Sequence, residues 1–293
     1  MHPPSAFAIL LLSAALSSAL GADAVKKVVI IAGKKSHGPE GNGIHDYAWS
    51  AKLLKVLLAR SNIRELVRVE THLEGWPREE GPLDDAATVM VISDGRDGDK
   101  YEEAPHLASP ERVAAMDRLT QRGCGIITFH FSTFAPEQYR EQVLRWNGGY
   151  FQWETNDKRR WYSSITTTEA DVALPSPEHP VARGVKPFRM REEFYHNLRF
   201  VPGDQGLTPL LAVPSLAGHE PSGRWVAWAR QREDGGRGFG TTCGHFYDNW
   251  KNDDFRKLVL NALAWTARVE PPVGGVVSPF IEREEIAAAL GNP

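Results

Sequence analysis

The chain has 293 residues, 42% of them hydrophobic and 24% charged, a composition typical of a globular protein with one large or two small domains. Its net charge of −3 and its lack of a Lys/Arg cluster give no sign of a polyanion-binding surface, so we expect no nucleic-acid partner.

The N-terminus has the pattern of a secretory signal. An apolar run rich in Ala and Leu extends from Ala6 to Leu20, and small residues follow it. The run is shorter than the roughly 20 residues of a membrane-spanning helix. Residues 1–22 are therefore predicted to be a signal peptide, cleaved near Gly21 to Ala24, so that the protein is exported to the periplasm or the cell exterior with no membrane span. Because no Lys or Arg precedes the run, an uncleaved anchor is the alternative.

The first predicted strand, Lys26–Gly33, is a continuous β-branched run of the kind seen in strands that are buried on both faces. A glycine-rich loop, AGKKSHGPEGNGIHDY, then leads to a helix through Ala59, with Asp46 as the predicted N-cap. The loop lacks the Gly-Lys-Ser/Thr of a phosphate-binding loop, and its glycines have the spacing G-x-x-G-x-G instead of G-x-G-x-x-G. No nucleotide cofactor is therefore expected.

The next elements alternate between strand and helix patterns. The segments LVRVETHL and ATVMVIS are predicted to be the second and third strands, and Ser109-Pro110 begins a helix as its cap and first residue. A fourth buried strand is predicted at Gly123–Phe131. The order β-α-β-β-α-β predicts an α/β fold with an open, doubly wound, mostly parallel sheet.

The pattern changes after Tyr139. The segment NGGYFQWETNDKRRWYSS has the composition of a long functional loop, and shorter strands are predicted in SSITTTEA, TPLLAV, RWVAWAR and GFGTTCGHF. Asp253 or Asp254 is expected to cap a closing helix that extends to Ala267. Residues 269–293, which include PPVGGVVSP, are predicted to be a linker-like tail.

The two cysteines are predicted to be buried and unpaired, although an exported protein could form a disulfide. Cys124 begins the fourth strand, and Cys243 lies near the end of a later one. In parallel strands the two sulfurs would lie near opposite edges of the sheet, too far apart to form a bond.

Three histidines are predicted to meet at one edge of the sheet. Ligands of such sheets bind outside the carboxyl ends of the strands; His37 lies in the loop that leaves the first predicted strand, His130 lies at the end of the fourth, and His245 follows the last. Neutral imidazoles favour Zn, Ni, Cu or Fe over Ca or Mg, so we predict that these three hold a divalent transition metal such as zinc. A core position for His130 and a loop position for His245 are the alternatives. His45 is equally consistent with a ligand and with a solvent-facing residue.

The sequence resembles the ThuA-like, or trehalose-utilisation, family over residues 26–268. The resemblance lies in AGKKSHGPEGNGIHDY, the FHF of the fourth strand, HPVARGVKPFRMREEFYHNL and CGHFYDNWKNDDFRKLVLNALAW. Its most specific parts are Ser36-His37-Gly38, Glu193-x-Tyr195 and Gly244-His245. It implies a single α/β domain over residues 26–268, with a flavodoxin-like, class I glutamine-amidotransferase-like fold. It also implies a role in disaccharide and glycoside utilisation, in a pathway that handles 3-keto-sugars.

Glutaminase activity is not expected despite this resemblance. A glutamine amidotransferase would present a cysteine in a G-x-C-x-G turn after the fourth strand, where this chain has FHFSTF, and Cys124 lies at the opposite end of that strand. Ser132 lacks the small flanking residues of a strained nucleophile turn, so a serine hydrolase is disfavoured as well.

Glu193 and Tyr195 are predicted to act on the substrate. They alternate along an extended segment and therefore share a face, where a carboxylate and a phenol suit sugar hydroxyls and acid–base catalysis. The alternative for Glu193 is a surface salt bridge to Arg189 or Arg191.

Four further residues are predicted to contact substrate together with His37. Trp153 and Trp161 lie in the polar loop, where aromatic faces would stack on sugar rings or simply hold the loop in place. Ser36 belongs to the Ser-His-Gly motif. Asp248, three residues after His245, is expected to orient that histidine. The alternative is that it only solvates the loop.

These residues, taken with the family resemblance, predict an exported enzyme that acts on a small carbohydrate, and the resemblance implies a 3-keto-glycoside or 3-keto-disaccharide as the substrate. His130, His245, Glu193 and Tyr195 are the predicted catalytic residues, and a metal would polarise the ketone. A non-catalytic carbohydrate-binding protein and a metal-dependent esterase or amidase are the rival hypotheses, because a fold alone does not determine a function. The sequence leaves the oligomeric state and the role of the tail open.

Overall fold

The computed structural model describes residues 24–79, 81–96, 104–155, 158–159, 161–204 and 206–291, so the predicted signal segment 1–22 lies outside the described residues. The helices are α1 (Tyr47–Arg60), α2 (Gly81–Asp84), α3 (Pro110–Gln121), α4 (Arg140–Asn147), α5 (Asp253–Thr266) and α6 (Arg283–Leu290). The strands are β1 (Lys26–Ala32), β2 (Val67–His72), β3 (Ala86–Ile92), β4 (Gly125–Phe129), β5 (Phe134–Ala135), β6 (Gly149–Gln152), β7 (Glu154–Thr155), β8 (Lys158–Arg159), β9 (Ser164–Val172), β10 (Phe188–His196), β11 (Arg199–Phe200), β12 (Leu207–Ala212), β13 (Trp225–Gln231) and β14 (Arg237–Thr241).

Seven strands form the central sheet in the order β12-β13-β14-β4-β3-β1-β2. Strands β2, β1, β3, β4 and β14 run parallel, and β13 and β12 extend one edge in antiparallel fashion. The parallel part has the flavodoxin-like strand order, in which the winding direction reverses between β1 and β3. The predicted α/β fold with a doubly wound, mostly parallel sheet is therefore confirmed.

Helices cover both faces of the sheet. Val28 and Ile30 of β1 belong to the core that contains α1 and α5, whereas Val29 and Ile31 belong to the core that contains α3 and α4. Successive side chains of a strand point to opposite faces, so a strand between two helix layers must be apolar throughout. This explains the continuous apolar run of the first strand.

The helix starts agree with the sequence prediction at one helix and differ at two. Ser109 caps α3 as predicted, by accepting a hydrogen bond from a first-turn amide. The predicted cap of α5 is wrong, because Asn252 accepts the first-turn amides and Asp253 and Asp254 are already helical. Asp46 precedes α1 but makes no capping hydrogen bond, because its carboxylate points back into the glycine-rich loop.

An antiparallel hairpin, β9 and β10, brings Glu193 and Tyr195 to the central sheet. Its strands pair over their whole length, from Phe188 opposite Val172 to His196 opposite Ser164. Residues of β10 contact both β13 and the turn that precedes α5. The hairpin therefore forms one wall beside the carboxyl ends of β4 and β14.

The predicted linker-like tail contains a helix in the structure. Helix α6 packs against α1, and its Ile286 is fully buried. The tail therefore contributes to the same core as the first helix.

Both cysteines are buried and unpaired, as predicted. Within the described ranges, no helix has the length and apolar character needed to cross a membrane.

Candidate active site

The candidate site lies at the carboxyl ends of the parallel strands, next to the point where the strand order reverses. The glycine-rich loop follows β1, Asp94 follows β3, His130 follows β4 and His245 follows β14. Glu193 and Tyr195 reach the same place from β10. Sites of this fold class form in this crevice because loops from neighbouring strands converge there.

Four potential ligand atoms converge at the centre of the site. One nitrogen each from His45, His130 and His245 and one carboxylate oxygen of Glu193 all lie within 4.8 Å of one another. His130 Nε2 is 3.0 Å from His45 Nε2 and 3.3 Å from His245 Nδ1. Glu193 Oε2 is 3.1 Å from His245 Nδ1 and 3.8 Å from His130 Nε2. Three imidazoles and one carboxylate form a donor set typical of transition-metal sites.

His130 occupies a strained turn at the end of β4. Its φ of +53° lies in the left-handed region, which non-glycine residues rarely adopt outside functional sites. Its ring is fully buried, and Nδ1 lies 2.6 Å from the carbonyl oxygen of Thr242. Because a carbonyl only accepts, Nδ1 carries the proton and Nε2 presents a lone pair to the cluster.

His45 also has a left-handed backbone, with a φ of +48°. Its amide donates to the carbonyl of His245 at 3.0 Å, and its Nδ1 lies 3.2 Å from Ser36 Oγ. Ser36 Oγ donates to Asp94 Oδ1 at 2.7 Å, so it can only accept from His45 Nδ1–H. His45 Nε2 therefore presents a lone pair, 3.0 Å from the lone pair of His130 Nε2.

The facing lone pairs of His45 and His130 repel one another unless a cation lies between them. The other ring nitrogen of each histidine, Nδ1, makes an outward hydrogen bond, in His45 to Ser36 and in His130 to a backbone carbonyl, and such bonds commonly fix the tautomer of metal-binding histidines. The residues present therefore fit a divalent transition metal, and His45, His130, His245 and Glu193 are the residues that could hold it.

Burial and mutual proximity set the charges of the cluster. Burial lowers the pKa of His45 to about 2, with further lowering from His245 and His37. Burial, followed by His45 and His245, also holds the pKa of His130 well below its ordinary value. Both rings are therefore neutral at physiological pH, which is the form that binds metals.

The pKa values of Glu193 and Tyr195 shift in opposite directions. Burial opposes ionisation of Glu193, but the hydrogen bond from His245, followed by electrostatic interactions with the neighbouring His130 and His245 rings, lowers its pKa to about 2. Burial and the neighbouring Glu193 raise the pKa of Tyr195 well above its ordinary value. Tyr195 is therefore a neutral phenol, and its hydroxyl lies 3.1 Å from Glu193 Oε2 and 2.9 Å from His130 Nε2.

The Gly-His turn after β14 requires its glycine. Gly244 has a φ of +132°, and an added Cβ would lie 2.0 Å from the Phe129 ring. The turn is held by Glu192, whose buried carboxylate accepts from the amides of Gly244 at 2.7 Å and His245 at 3.1 Å. Asn249 Nδ2 donates to the same carboxylate at 2.8 Å.

The structure groups the potential metal ligands differently from the predicted set, because His45 takes the place of His37 and Glu193 is added. His45 and Glu193 group with His130 and His245, whereas exposed His37 groups with His45 and Asp94. His37 Nδ1 lies 2.7 Å from Ser36 Oγ, and the rings of His37 and His45 are 4.3 Å apart. The predicted motif residues Ser36 and His37 are therefore part of the site, but at its outer side.

Two acidic residues of the site were missed by the sequence analysis. Asp94 lies two residues beyond the end of β3, so the rule that ligands collect at carboxyl ends of strands could have identified it. Glu192 had no such signal, because its function depends on a backbone turn that is more than 50 residues away in the chain. The shared face of Glu193 and Tyr195 was predicted, and Glu193 contacts His245 instead of the nearby arginines.

The predicted substrate-binding tryptophans lie in different environments. Trp161 is 50% exposed, and its ring meets Phe151 at 5.4 Å and Phe134 at 6.2 Å. Phe134 in turn meets Tyr195 at 5.0 Å, so an aromatic wall connects Trp161 to the cluster. Trp153 is only 2% exposed and packs inside that wall, so its ring faces are not available to a ligand.

Asp248 and Ser132 do not join the cluster. The side chain of Asp248 is 81% exposed and pairs with Lys251 at 3.0 Å, and no contact with His245 is seen. Ser132 is buried, and its hydroxyl bonds with the carbonyls of Val91 and Phe129 at the end of β4. Neither residue is placed to touch a ligand at the four convergent atoms.

Known structures with the same fold include two ThuA-like proteins. The one from Bacteroides uniformis has a TM-score of 0.57 and 13% identity, over 82% of this chain and 91% of that chain. The one from Parabacteroides merdae has a TM-score of 0.54 and 16% identity, over 87% and 97%. A cytoplasmic protein from Salmonella typhimurium has a TM-score of 0.52 and 12% identity, over 82% and 99%. At these identities the similarity concerns the fold alone.

No curated protein matches this chain. The family model described as ThuA, trehalose utilisation, matches residues 37–266, which is most of the chain and includes every residue of the convergent cluster. The resemblance inferred from the sequence motifs is therefore confirmed. This chain belongs to the ThuA, or trehalose-utilisation, family.

Proposed function

We propose that this protein is an exported enzyme that cleaves 3-keto-glycosides or 3-keto-disaccharides at the convergent cluster, with a divalent transition metal such as zinc. The observation that carries the proposal is the convergence of His45, His130, His245 and Glu193, whose ligand atoms lie within 4.8 Å of one another. The carbohydrate substrate rests on family membership and on the aromatic wall beside the cluster.

Burial divides the cluster residues by role. His45 and His130 are 2% and 0% exposed, so they serve as inner ligands and cannot take a proton from a substrate carbon. The side chain of Glu193 is 23% exposed and that of His245 is 11% exposed, so these two complete the ligand set at its open side. A bound divalent metal would act as a Lewis acid that polarises the substrate ketone.

His37 is the proposed general base. Ser36 Oγ donates to Asp94 and therefore accepts from His37 Nδ1–H at 2.7 Å, which leaves the lone pair on His37 Nε2. The His37 side chain is exposed at the outer side of the site, where a substrate can reach it. The relay Asp94–Ser36–His37 orients a basic imidazole in the same way as other acid–base relays.

The ketone at C3 acidifies the C2–H bond, and this sets the order of bond changes. His37 removes the C2 proton, the C–H electron pair forms a C1–C2 double bond, and the C1–O bond breaks with its electrons on the departing oxygen. The His37 imidazolium then returns the proton to that oxygen. Water adds next across the double bond, with its hydroxyl at C1 and its hydrogen at C2, so that the overall change is hydrolysis.

Trp161 would contact the sugar, whereas Tyr195, which is as buried as His45, would orient Glu193 and His130 from within the site. The neutral Tyr195 hydroxyl is a hydrogen-bond donor at the centre of the site, and its single proton cannot satisfy Glu193 and His130 at once. The exposed face of Trp161 lies at the outer end of the aromatic wall and suits the apolar face of a pyranose ring.

The test follows a 3-keto-glucoside by NMR with the purified mature protein, before and after chelation and after zinc is restored. We expect aglycone release that chelation abolishes and zinc restores. The His37→Ala variant should lose turnover and keep metal binding, while His219→Ala, an exposed histidine outside the cluster, should behave as wild type.

Other outcomes would favour the rival hypotheses. Sugar binding without release from any keto-glycoside would favour a carbohydrate-binding protein. Release from simple esters or amides, with keto-glycosides left intact, would favour a metal-dependent esterase or amidase. Release that survives chelation would remove the metal from the proposal and leave the histidines as acid–base groups.

A further inference from the structure

Helix α6 lies outside the residues that match the family, yet it contacts the loop that carries the site histidines. The family match ends at residue 266, and α6 begins at Arg283. Ile286 buries the helix against α1, so the first turn of α6 lies beside the glycine-rich loop. One side chain of that turn makes the connection.

Arg283 bonds to the glycine-rich loop at two points. Its Nη1 donates to the carbonyl oxygen of Gly41 at 2.9 Å, and its Nη2 donates to Asp46 Oδ2 at 2.6 Å. The guanidinium also lies 4.4 Å from the centre of the Tyr247 ring and 5.3 Å from that of Trp49. A planar group that bonds in two directions and stacks on aromatic rings fixes position as well as charge.

Asp46 passes this constraint to the loop backbone. Its carboxylate, with no exposed surface, accepts from the amide of Gly41 at 3.0 Å and from that of Gly43 at 2.8 Å. Lys35 Nζ lies 3.3 Å from the same carboxylate and donates to the carbonyl of His37 at 2.9 Å. A buried carboxylate needs such partners, so loss of Arg283 would leave it undercompensated.

His45 stands next to Asp46 in the chain and is held in a left-handed conformation. Among the bonds in the described residues, His45 makes one backbone hydrogen bond to the Gly-His turn after β14, from its amide to the carbonyl of His245. A strained residue persists when its surroundings overdetermine it, and the Asp46 network is one such surrounding.

We propose that Arg283 is a positioning residue, by which the C-terminal helix holds the glycine-rich loop and thereby places His45 and His37 in the site. The part that concerns metal binding rests on the proposed function. The part that concerns the loop does not. The C-terminal segment then helps to shape the site, although it lies outside the residues that the family model matches.

The test compares Arg283→Ala, Arg283→Lys and Glu285→Ala in the full mature chain. Glu285 is the matched control, because it pairs with Arg60 on the exposed side of the same helix and does not touch the loop. Hydrogen–deuterium exchange of residues 36–46 reports directly on the amides of Gly41 and Gly43. Cobalt titration, followed by its visible absorption, reports on the cluster.

We expect exchange in residues 36–46 to rise roughly tenfold or more in Arg283→Ala and to stay near wild type in Glu285→Ala, since local opening scales with the lost tertiary contacts. Arg283→Lys keeps the charge opposite Asp46 but not the two-directional bonding, so it should give an intermediate rate. Cobalt affinity should fall by about 10- to 100-fold in Arg283→Ala, as for other residues that orient metal ligands.

Unchanged exchange of the loop in Arg283→Ala, or an equal rise in Glu285→Ala, would overturn the proposal. A faster-exchanging loop with wild-type cobalt affinity would overturn the positioning role. If the wild-type chain neither binds cobalt nor cleaves keto-glycosides, the proposed function fails, whereas the exchange experiment still decides whether Arg283 holds the loop.

Discussion

Two buried histidines near the turn after β4 have similar burial and hydrogen bonding, but only one of them belongs to the convergent cluster. His130 and His106 are 0% and 1% exposed, and each bonds through one ring nitrogen to a backbone carbonyl, of Thr242 and Ser132 respectively. The second nitrogen of His130 faces His45, Tyr195 and Glu193. The second nitrogen of His106 has no hydrogen-bond partner among the described residues.

Burial of a histidine and its membership of a functional site are different properties. Burial alone lowers the pKa of His106 to about 4, so a displaced pKa does not distinguish the two residues. What distinguishes His130 is convergence, because ligand atoms from three other segments meet its free nitrogen. The strained backbone of His130 is the second difference, since His106 is not among the residues with positive φ.

The largest effect is expected when each of the two histidines is removed in turn. His130→Ala should abolish cobalt binding and lower turnover of a 3-keto-glucoside by roughly a thousandfold or more, because the central ligand is lost. His106→Gln should retain metal binding and turnover. Cobalt absorption and NMR-detected turnover measure both effects on the same samples.

Equal loss of metal binding in the two variants would mean that burial, and not convergence, determines their roles. Circular dichroism before titration ensures that only folded protein is compared. A His130→Ala variant that binds cobalt normally would remove His130 from the ligand set.

A second comparison involves two aspartates that follow site elements, Asp94 and Asp248. Asp94→Asn should weaken cobalt binding and turnover by up to about 100-fold, because Ser36 loses its carboxylate acceptor and no longer fixes the tautomers of His37 and His45. Asp248→Asn should change neither, since its side chain faces solvent and pairs with Lys251.

The reverse result, a loss in Asp248→Asn alone, would restore the sequence-based expectation that Asp248 orients His245. The measurement is again paired cobalt titration and turnover. Both substitutions replace Asp by Asn, but one aspartate is buried and bonded to Ser36 and the other is exposed. The pair therefore tests burial and hydrogen bonding to the site together.

The sequence predicted the sheet and most of the rim because both follow from short-range patterns. The continuous apolar run of β1 requires helices on both faces, and strand ends locate His130 and His245 without knowledge of tertiary contacts. The alternation of Glu193 and Tyr195 along β10 likewise needs only the period of a strand.

The remaining parts of the site depend on contacts that no local pattern encodes. Whether His45 or His37 faces His130 depends on the fold of the 14-residue loop, which is set by hydrogen bonds from its own Lys35 and to its own Asp46. The same loop diverts Asp46 from the capping role that its position before α1 suggests. Arg283 reaches Asp46 across 237 positions of sequence, so its contribution could not be seen before the fold.

The pH dependence of the free energy of unfolding tests the burial of His106, the histidine that lies outside the site. Burial lowers the pKa of His106 from 6.5 to about 4 in the folded protein. Unfolding below pH 6.5 therefore takes up a proton, so the His106 contribution to the free energy of unfolding falls as pH drops from about 6.5 towards 4. Between about pH 7.5 and pH 5 the loss is roughly 2 kcal/mol.

Urea unfolding of wild type and His106→Gln at the two pH values, with chelator present, isolates this contribution. The variant should lose about 2 kcal/mol less than wild type on acidification, whatever its absolute stability. Equal pH dependence in both proteins would mean that His106 is solvated or charged in the folded state.

The smallest effect is expected at the outer end of the aromatic wall. Trp161→Ala should weaken binding of a 3-keto-glucoside by about three- to tenfold, because one stacking face worth roughly 1 kcal/mol is removed. Its half-exposed ring contributes little to the core, so the midpoint of thermal unfolding should change little. Titration calorimetry measures the affinity whether or not the sugar is cleaved.

Trp161→Phe provides the matched control, since it keeps an aromatic face beside Phe151 and should retain most of the affinity. If both variants bind sugar as tightly as wild type, the aromatic wall holds the loop and does not bind carbohydrate. If both lose affinity equally, the indole N–H and not its face makes the contact. Only loss in Trp161→Ala with retention in Trp161→Phe supports stacking, and it would separate the outer wall, which selects the sugar, from the inner histidines, which act on it.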